Sequence, residues 1–288
     1  MKKLIALIFS LAVIVSCFTA CEKKEEYTVA IGVAENVDYE NATIMQAVAA
    51  VVTDKAGKIV LARLDAVEYV IETDDGEPII YVPLSMRDSD NRDFKSAADF
   101  LEGYAEGKTK DEIEALNSEA LGENANGYTP GLIRAISKAL NNQYPTKFES
   151  TFNITAGVSL FAYASADDET GTVTLGVSYA AIAADNDRIG GAVIDENEIT
   201  VTLGEEDGKI ISHAYKGTKL EQGEDYHMDD YNPYAVGEWY EQAAEYVKTL
   251  YYKPIDTFDE IPESKTAGCT IDTANYHAAL IKASRRVR

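Results

Sequence analysis

Cysteine is nearly missing from this chain: there are three in 288 residues, and two of them precede residue 22. Beyond that leading stretch only Cys269 is left, so no internal disulfide can form there and stability has to come from packing. Positive charge is scarce as well. The 26 Lys and Arg face 49 Asp and Glu, a net charge of −23. A chain so acidic cannot neutralise a row of phosphates, so nucleic acid is not an expected partner. Histidine is limited to His213, His227 and His277, in unrelated contexts. There is no Gly-x-Ser-x-Gly elbow, no Gly-rich phosphate loop, and no spaced histidine and acid to serve Cys269, so no catalytic residues are expected. After the first fifteen residues no apolar run is long enough to span a bilayer. What is present is ordinary for a globular protein, 46% hydrophobic and 26% charged, in a chain long enough for two cores.

The leading stretch has its own logic. Lys2-Lys3 form a basic start, Leu4 to Val15 an apolar segment too short for a confident spanning helix, and cysteines follow in Ile14-Val15-Ser16-Cys17 and Phe18-Thr19-Ala20-Cys21. Both cysteine contexts resemble the lipobox of bacterial lipoproteins, in which the cysteine is acylated and becomes the new N-terminus. Cys21, with alanine before it and the more usual signal length, is the expected lipidation site; Cys17 has the better aliphatic residue three places upstream. Simple secretion, with Cys21 as a plain thiol, is the alternative. The resemblance implies residues 1–21 as signal peptide and a protein held by membrane lipid on the extracytoplasmic face. Residues 22–26 (Glu-Lys-Lys-Glu-Glu) then form a charged tether.

The remainder uses one unit twice. Ile59, Asp65 and Glu68 recur as Ile189, Asp195 and Glu198, each 130 positions on. Each copy reads as an apolar strand, a polar turn, a basic residue before isoleucine, then a strand reaching aspartate. A second correspondence, Lys108 to Ile113 with Lys253 to Phe258, runs at a spacing of 145. Alternation over 27–34 and apolar runs bounded by polar turns predict strands over 27–34, 43–53, 58–72 and 79–82, and again over 152–165, 172–184, 188–203 and from 209. Helical spacing follows each set: Ala97 to Tyr104, a capped start at Thr109 with Glu112, and Thr129 to Leu140 in one half; Val236 to Leu250 and Ala274 to Ser284 in the other. Strands first and helices afterwards predict α+β rather than a doubly wound sheet. The expected organisation is two tandem similar domains, 27–143 and 144–288, each an antiparallel sheet followed by packed helices. Asn141 to Pro145 reads as their connection. A single pseudo-symmetric sheet is the competing arrangement.

Gly57-Lys58-Ile59 with its following acid, and a Gly-x-Thr before the last helix, resemble the FMN-binding domain of bacterial envelope proteins. Lys216-Gly217-Thr218-Lys219, Tyr226-His227-Met228 and Glu238-Trp239-Tyr240-Glu241-Gln242-Ala243 are similar to segments of uncharacterised lipoproteins of Gram-positive anaerobes. The likeness covers about 172–282. It implies cofactor contacts at Gly268 and Thr270, and at Gly127 and Thr129 in the first half, where glycine and threonine of the flavin-attachment motif are kept while its serine and alanine are not. The plain alternative is that Thr129, and Thr270 or Thr273, simply cap the helices that follow.

Lys216, Lys219, Tyr226 and Trp239 could line a cleft for a small anionic or planar ligand. Asp65 and Asp195 read better as strand-end acceptors for a neighbouring turn than as functional groups. His227 among Asp225, Asp229 and Asp230 reads as a solvated loop, so no metal is expected. The resulting expectation is a membrane-anchored lipoprotein that binds a small ligand or an envelope partner without catalysis and without a cofactor. A flavin-carrying (FMN) redox protein and a structural envelope protein are the alternatives.

Overall fold

The computed structural model describes residues 24–74, 77–82, 84–117, 121–151, 153–167, 170–204, 209–258 and 270–287. Cys17, Cys21, Gly268 and Cys269 lie outside these residues. Strands β1 (Glu25–Asp38), β2 (Thr43–Asp54), β3 (Ile59–Asp74) and β4 (Glu77–Tyr81) come first. Helices α1 (Arg92–Ala105), α2 (Lys110–Glu114) and α3 (Thr129–Leu140) follow. The chain then forms β5 (Thr146–Ser150), β6 (Ile154–Asp167), β7 (Thr172–Asp185), β8 (Arg188–Leu203) and β9 (Ile210–Tyr215). It closes with α4 (Lys219–Gln222), α5 (Met228–Tyr231), α6 (Trp239–Lys248) and α7 (Ala274–Arg285). The class is α+β with two antiparallel sheets, ordered β4-β3-β2-β1-β5 and β6-β7-β8-β9.

The central strands are buried on both faces, which explains their near-continuous apolar runs. On β2, Ile44, Val48, Ala50 and Val52 share one core cluster with the second sheet, whereas Met45, Ala47, Ala49 and Val51 share another with α1 and α3. The sheets therefore meet face to face, with helices outside each: α1 and α3 on the first, α6 and α7 on the second. Small residues set the helix approach. A Cβ at Gly32 of β1 would collide with the α3 backbone at Ala135 and Ala139, and one at Gly157 of β6 with the α7 backbone at Ala283.

Strand β5 is a correction. Residues beyond the 141–145 connection pair with β1, from Glu25 opposite Ser150 to Val29 opposite Thr146. Five residues are too few to show a period of their own; β1 supplies the template, and Phe148 stacks on Tyr27 at 5.8 Å.

The residues that recur in sequence hold matching positions. Ile59 N–H donates to Lys108 O (2.9 Å) and Ile59 O accepts from Gly107 N–H (2.8 Å). Ile189 does the same with Lys253 O (3.0 Å) and Tyr252 N–H (2.8 Å). Asp65 Oδ1 accepts from the N–H groups of Ala66 (2.8 Å) and Arg87 (3.2 Å) and from the Ser85 hydroxyl (2.8 Å). Asp195 Oδ1 accepts from Glu196 N–H (2.8 Å) and Leu220 N–H (3.0 Å), and the carboxylate accepts from the Thr218 hydroxyl. Both aspartates are thus turn acceptors. They differ in charge partner: Arg286 Nη1 lies 2.5 Å from Asp65 Oδ2, and among the described residues Asp195 meets no cation. Burial raises Asp65 above the ordinary carboxylate range against the pull of Arg286. Burial, relieved only in part by the Thr218 and backbone donors, pushes Asp195 up to about 7.

Candidate functional site

On the outer face of the second sheet a cavity of about 460 Å³ is bounded by β6, β8, the residues around α4, α6 and the start of α7. Its base is Glu196, on the β8 face opposite Asp195 because strand side chains alternate. Glu196 is 12% exposed in its side chain, and four donors reach it. Lys219 Nζ lies 3.3 Å away. The Tyr163 hydroxyl donates at 2.9 Å and the Ser178 hydroxyl at 3.4 Å, and Tyr276 donates to Oε2. Burial and the neighbouring carboxylates hold both phenols well above the ordinary tyrosine range, so they remain donors.

Lys219 is held from the other side by rings. Its ammonium lies 5.4 Å from the Tyr226 ring centre and 5.5 Å from that of Trp239, within cation–π range. Trp239 and Tyr276 are themselves 5.8 Å apart and fully buried, so they form wall and floor. Trp239 Nε1 is buried with no hydrogen-bond partner among the described residues. Local sequence explains how these groups are aimed. Gly217 (φ +89°) turns the chain so that Thr218 and Glu221 close a capping box in front of Lys219. Gly237 (φ +87°) and the Glu238–Glu241 box do the same in front of Trp239. Thr270 reaches the rim, where its N–H (2.7 Å) and hydroxyl (3.1 Å) both donate to Gln242 Oε1 on α6.

Trp239, Lys219, Tyr226 and Thr270, chosen from the sequence, therefore line one cavity. Lys216 does not: it is exposed on the loop before α4. Thr129 and Gly127 sit in the other half, at the start of α3. There the Thr129 hydroxyl accepts from Asn126 N–H (3.0 Å) and is buried, and Gly127 has open space beside its Cα. The helix-cap reading of the threonines is corrected too. The residues before α3 and α7 are Tyr128 and Thr273, and neither helix has a side-chain cap hydrogen bond. Sequence reasoning missed Glu196, Tyr163, Tyr276 and Gln242. The run of four polar residues Asp195-Glu196-Asn197-Glu198 in the middle of a largely buried strand was the available signal.

A larger hollow, about 720 Å³, lies on the other side of α6 between Tyr144 and Val247. It is mainly apolar, and Tyr144 stacks on Tyr240 across it at 4.2 Å. No set of polar groups converges in it as they do on Glu196. Among the described residues no group of His, Cys, Asp and Glu is arranged to hold a metal, and no helix is long and apolar enough to cross a membrane. In comparisons with known proteins, the chain matches no family model, no curated protein and no solved structure.

Proposed function

We propose that this is a lipid-anchored extracytoplasmic protein that binds a small ligand in the Glu196–Lys219 cavity and does not act as a catalyst. The observation carrying this reading is the convergence of Lys219, Tyr226, Trp239 and Thr270, distant in sequence, around one buried carboxylate. Hydrogen-bonding groups at the rim (Asn232, Asp272, Asn275) add directional contacts to the half-buried Tyr226 ring. Of the two ligand chemistries expected, anionic and planar, the lining favours a planar, hydrogen-bonding one. Among the described residues Lys219 is the one cation in it, and Glu196 and Asp272 oppose an anion.

Flavin esterified through phosphate to Thr270 fits less well, because a phosphate there would face the same two carboxylates and a hydroxyl already committed to Gln242. The two halves are read as copies of one module, each an antiparallel sheet with its helices, docked through their inner faces. Support comes from the paired contacts of Ile59 and Ile189 and of Asp65 and Asp195. Anchoring rests on the lipobox-like segment ending at Cys21.

Trp239 is the sole tryptophan, so intrinsic emission reports on the cavity directly. Titration with planar heterocycles should change that emission and raise the melting temperature, and Lys219→Met should abolish both effects. A screen in which no planar compound moves either signal would remove the binding reading in favour of a structural envelope role. Visible absorbance of the purified protein, or a mass above that of the acylated polypeptide, would restore flavin. Loss of membrane partitioning in Cys21→Ser tests the anchor separately.

A further inference from the structure

We propose a second binding site, for a small tetrahedral oxyanion such as phosphate or a phosphomonoester, in the cleft between α1 and the end of α7. This cleft, of about 440 Å³, is lined by β3 and α1 from the first half and by Val158 and the end of α7 from the second, and shares no residue with the Glu196 cavity. Five cations line it: Arg63, Arg87, Lys95, Arg285 and Arg286. Three carboxylates line it with them, Asp88, Asp99 and Glu102. The lining thus carries a surplus of two positive charges, reduced to one by Asp65 behind Arg286, in a protein whose net charge is −23. Random placement of so few cations on so acidic a chain would not gather five of them in one concavity.

The carboxylates divide into two kinds. Glu102 and Asp65 are buried, 8% and 0% exposed in their side chains, and fix the inner edges of Arg87 and Arg286. Further bonds hold the same guanidiniums: Arg87 Nε donates to Leu64 O at 2.8 Å, and Arg286 Nη2 to the Ser85 hydroxyl at 3.0 Å. Asp99 and Asp88 are 64% and 46% exposed and occupy the outer edges, at 2.5 and 2.6 Å. The guanidiniums are 13% and 21% exposed, so the aspartates hold the wet side of each pair and are the partners able to swing into water. Their departure would present two guanidinium edges already oriented by buried partners, a fork geometry suited to paired oxygens of a phosphate. Lys95 adds an ammonium with no carboxylate partner among the described residues. Little side-chain freedom remains to be lost when an oxyanion enters, which favours binding.

Calorimetric titration of the full chain with inorganic phosphate at fixed ionic strength tests this, with chloride as the control and glycerol phosphate as a second ligand. Phosphate should bind and raise the melting temperature where chloride does neither. Lys95→Glu with Arg285→Glu, which leave the Arg87–Glu102 and Arg286–Asp65 pairs in place, should weaken phosphate at least tenfold. Asp99→Asn, which removes a displaceable competitor, should strengthen it several-fold. Tighter binding of glycerol phosphate would assign the site to an esterified phosphate, and equal or weaker binding to the free ion. Phosphate heats no larger than those of chloride, or affinities unchanged in both the charge-reversal and Asp99→Asn proteins, would overturn the proposal.

Discussion

Asp65 and Asp195 occupy corresponding strand positions and accept from corresponding donors, yet the two halves treat the buried charge differently. In the first half a guanidinium from the far end of the chain, Arg286, comes to the carboxylate. In the second no cation does among the described residues, and burial raises the affinity for a proton instead. The same architecture thus admits two electrostatic solutions. The first ties the opposite ends of the chain together, since Arg286 follows the last helix while Asp65 lies on the third strand. The second leaves the aspartate sensitive to pH. The surroundings diverge likewise, with a salt-bridged arginine cleft beside Asp65, where the first half meets the end of α7, and an aromatic cavity around Glu196 on the outer face of the second sheet.

The correspondence can be broken most severely at its tightest contacts. Gly32→Val and Gly157→Val should each destabilise by about 3 kcal/mol or more, because the new side chain meets helix backbone that cannot yield locally. A chemical-denaturation midpoint left unchanged by either would show that the two helices are not seated alike. Next comes Asp65→Ala, which strands a mostly buried Arg286 and should cost about 3 kcal/mol; Asp195→Ala strands no charge and should cost clearly less.

The third comparison is one of pH. The folded-state pKa of Asp195 is raised, to about 7. Its contribution is therefore fully present below the unfolded value near 4 and is lost as pH rises through 7. Asp195→Asn should flatten the fall in stability between pH 4 and 7 and be more stable than the parent by on the order of 2 kcal/mol at pH 8. An unaltered pH profile would contradict a protonated Asp195. Lys219→Met, which leaves Glu196 with hydroxyl donors alone, should cost about 1–2 kcal/mol and shift the Trp239 emission maximum. The smallest effect concerns the left-handed residues beside Ile59 and Ile189. Gly107 has φ +76° and Tyr252 has φ +63°. Tyr252→Gly should stabilise by up to about 1 kcal/mol and Gly107→Ala destabilise by about 1 kcal/mol, read from paired melting curves.

Much of the framework was legible because two-sided burial leaves long apolar runs and polar hairpin turns mark where each one ends. The strand Arg188 to Leu203 was bounded correctly from alternation and flanking turns, and the Thr109 capping box is formed as its spacing indicated. What escaped notice is what depends on partners remote in sequence. Strand β5 is a strand because β1 lies beside it, and its own five residues carry no period. Glu196 gains its character from Lys219, Tyr163 and Tyr276, which are brought to it from β6 and from helices beyond β9. Lys216 and Lys219, three residues apart, were grouped in the cleft together, but the capping box at Thr218 turns only the second inward. Thr129 and Thr270 suggested caps by position, whereas each hydroxyl is taken up by an asparagine or glutamine outside the helix it precedes.

The five residues of β5 also have a mechanical meaning. They flank the start of β1, so Tyr27 to Val29 are paired on both sides, to β2 and to β5, while Glu25 and Glu26 are paired to β5. Inter-strand bonds lie across the strand axis, and tension applied along β1 from its amino end loads both rows at once, in shear. In the anchored arrangement proposed above, a protein hung from this strand would resist being unzipped by drag.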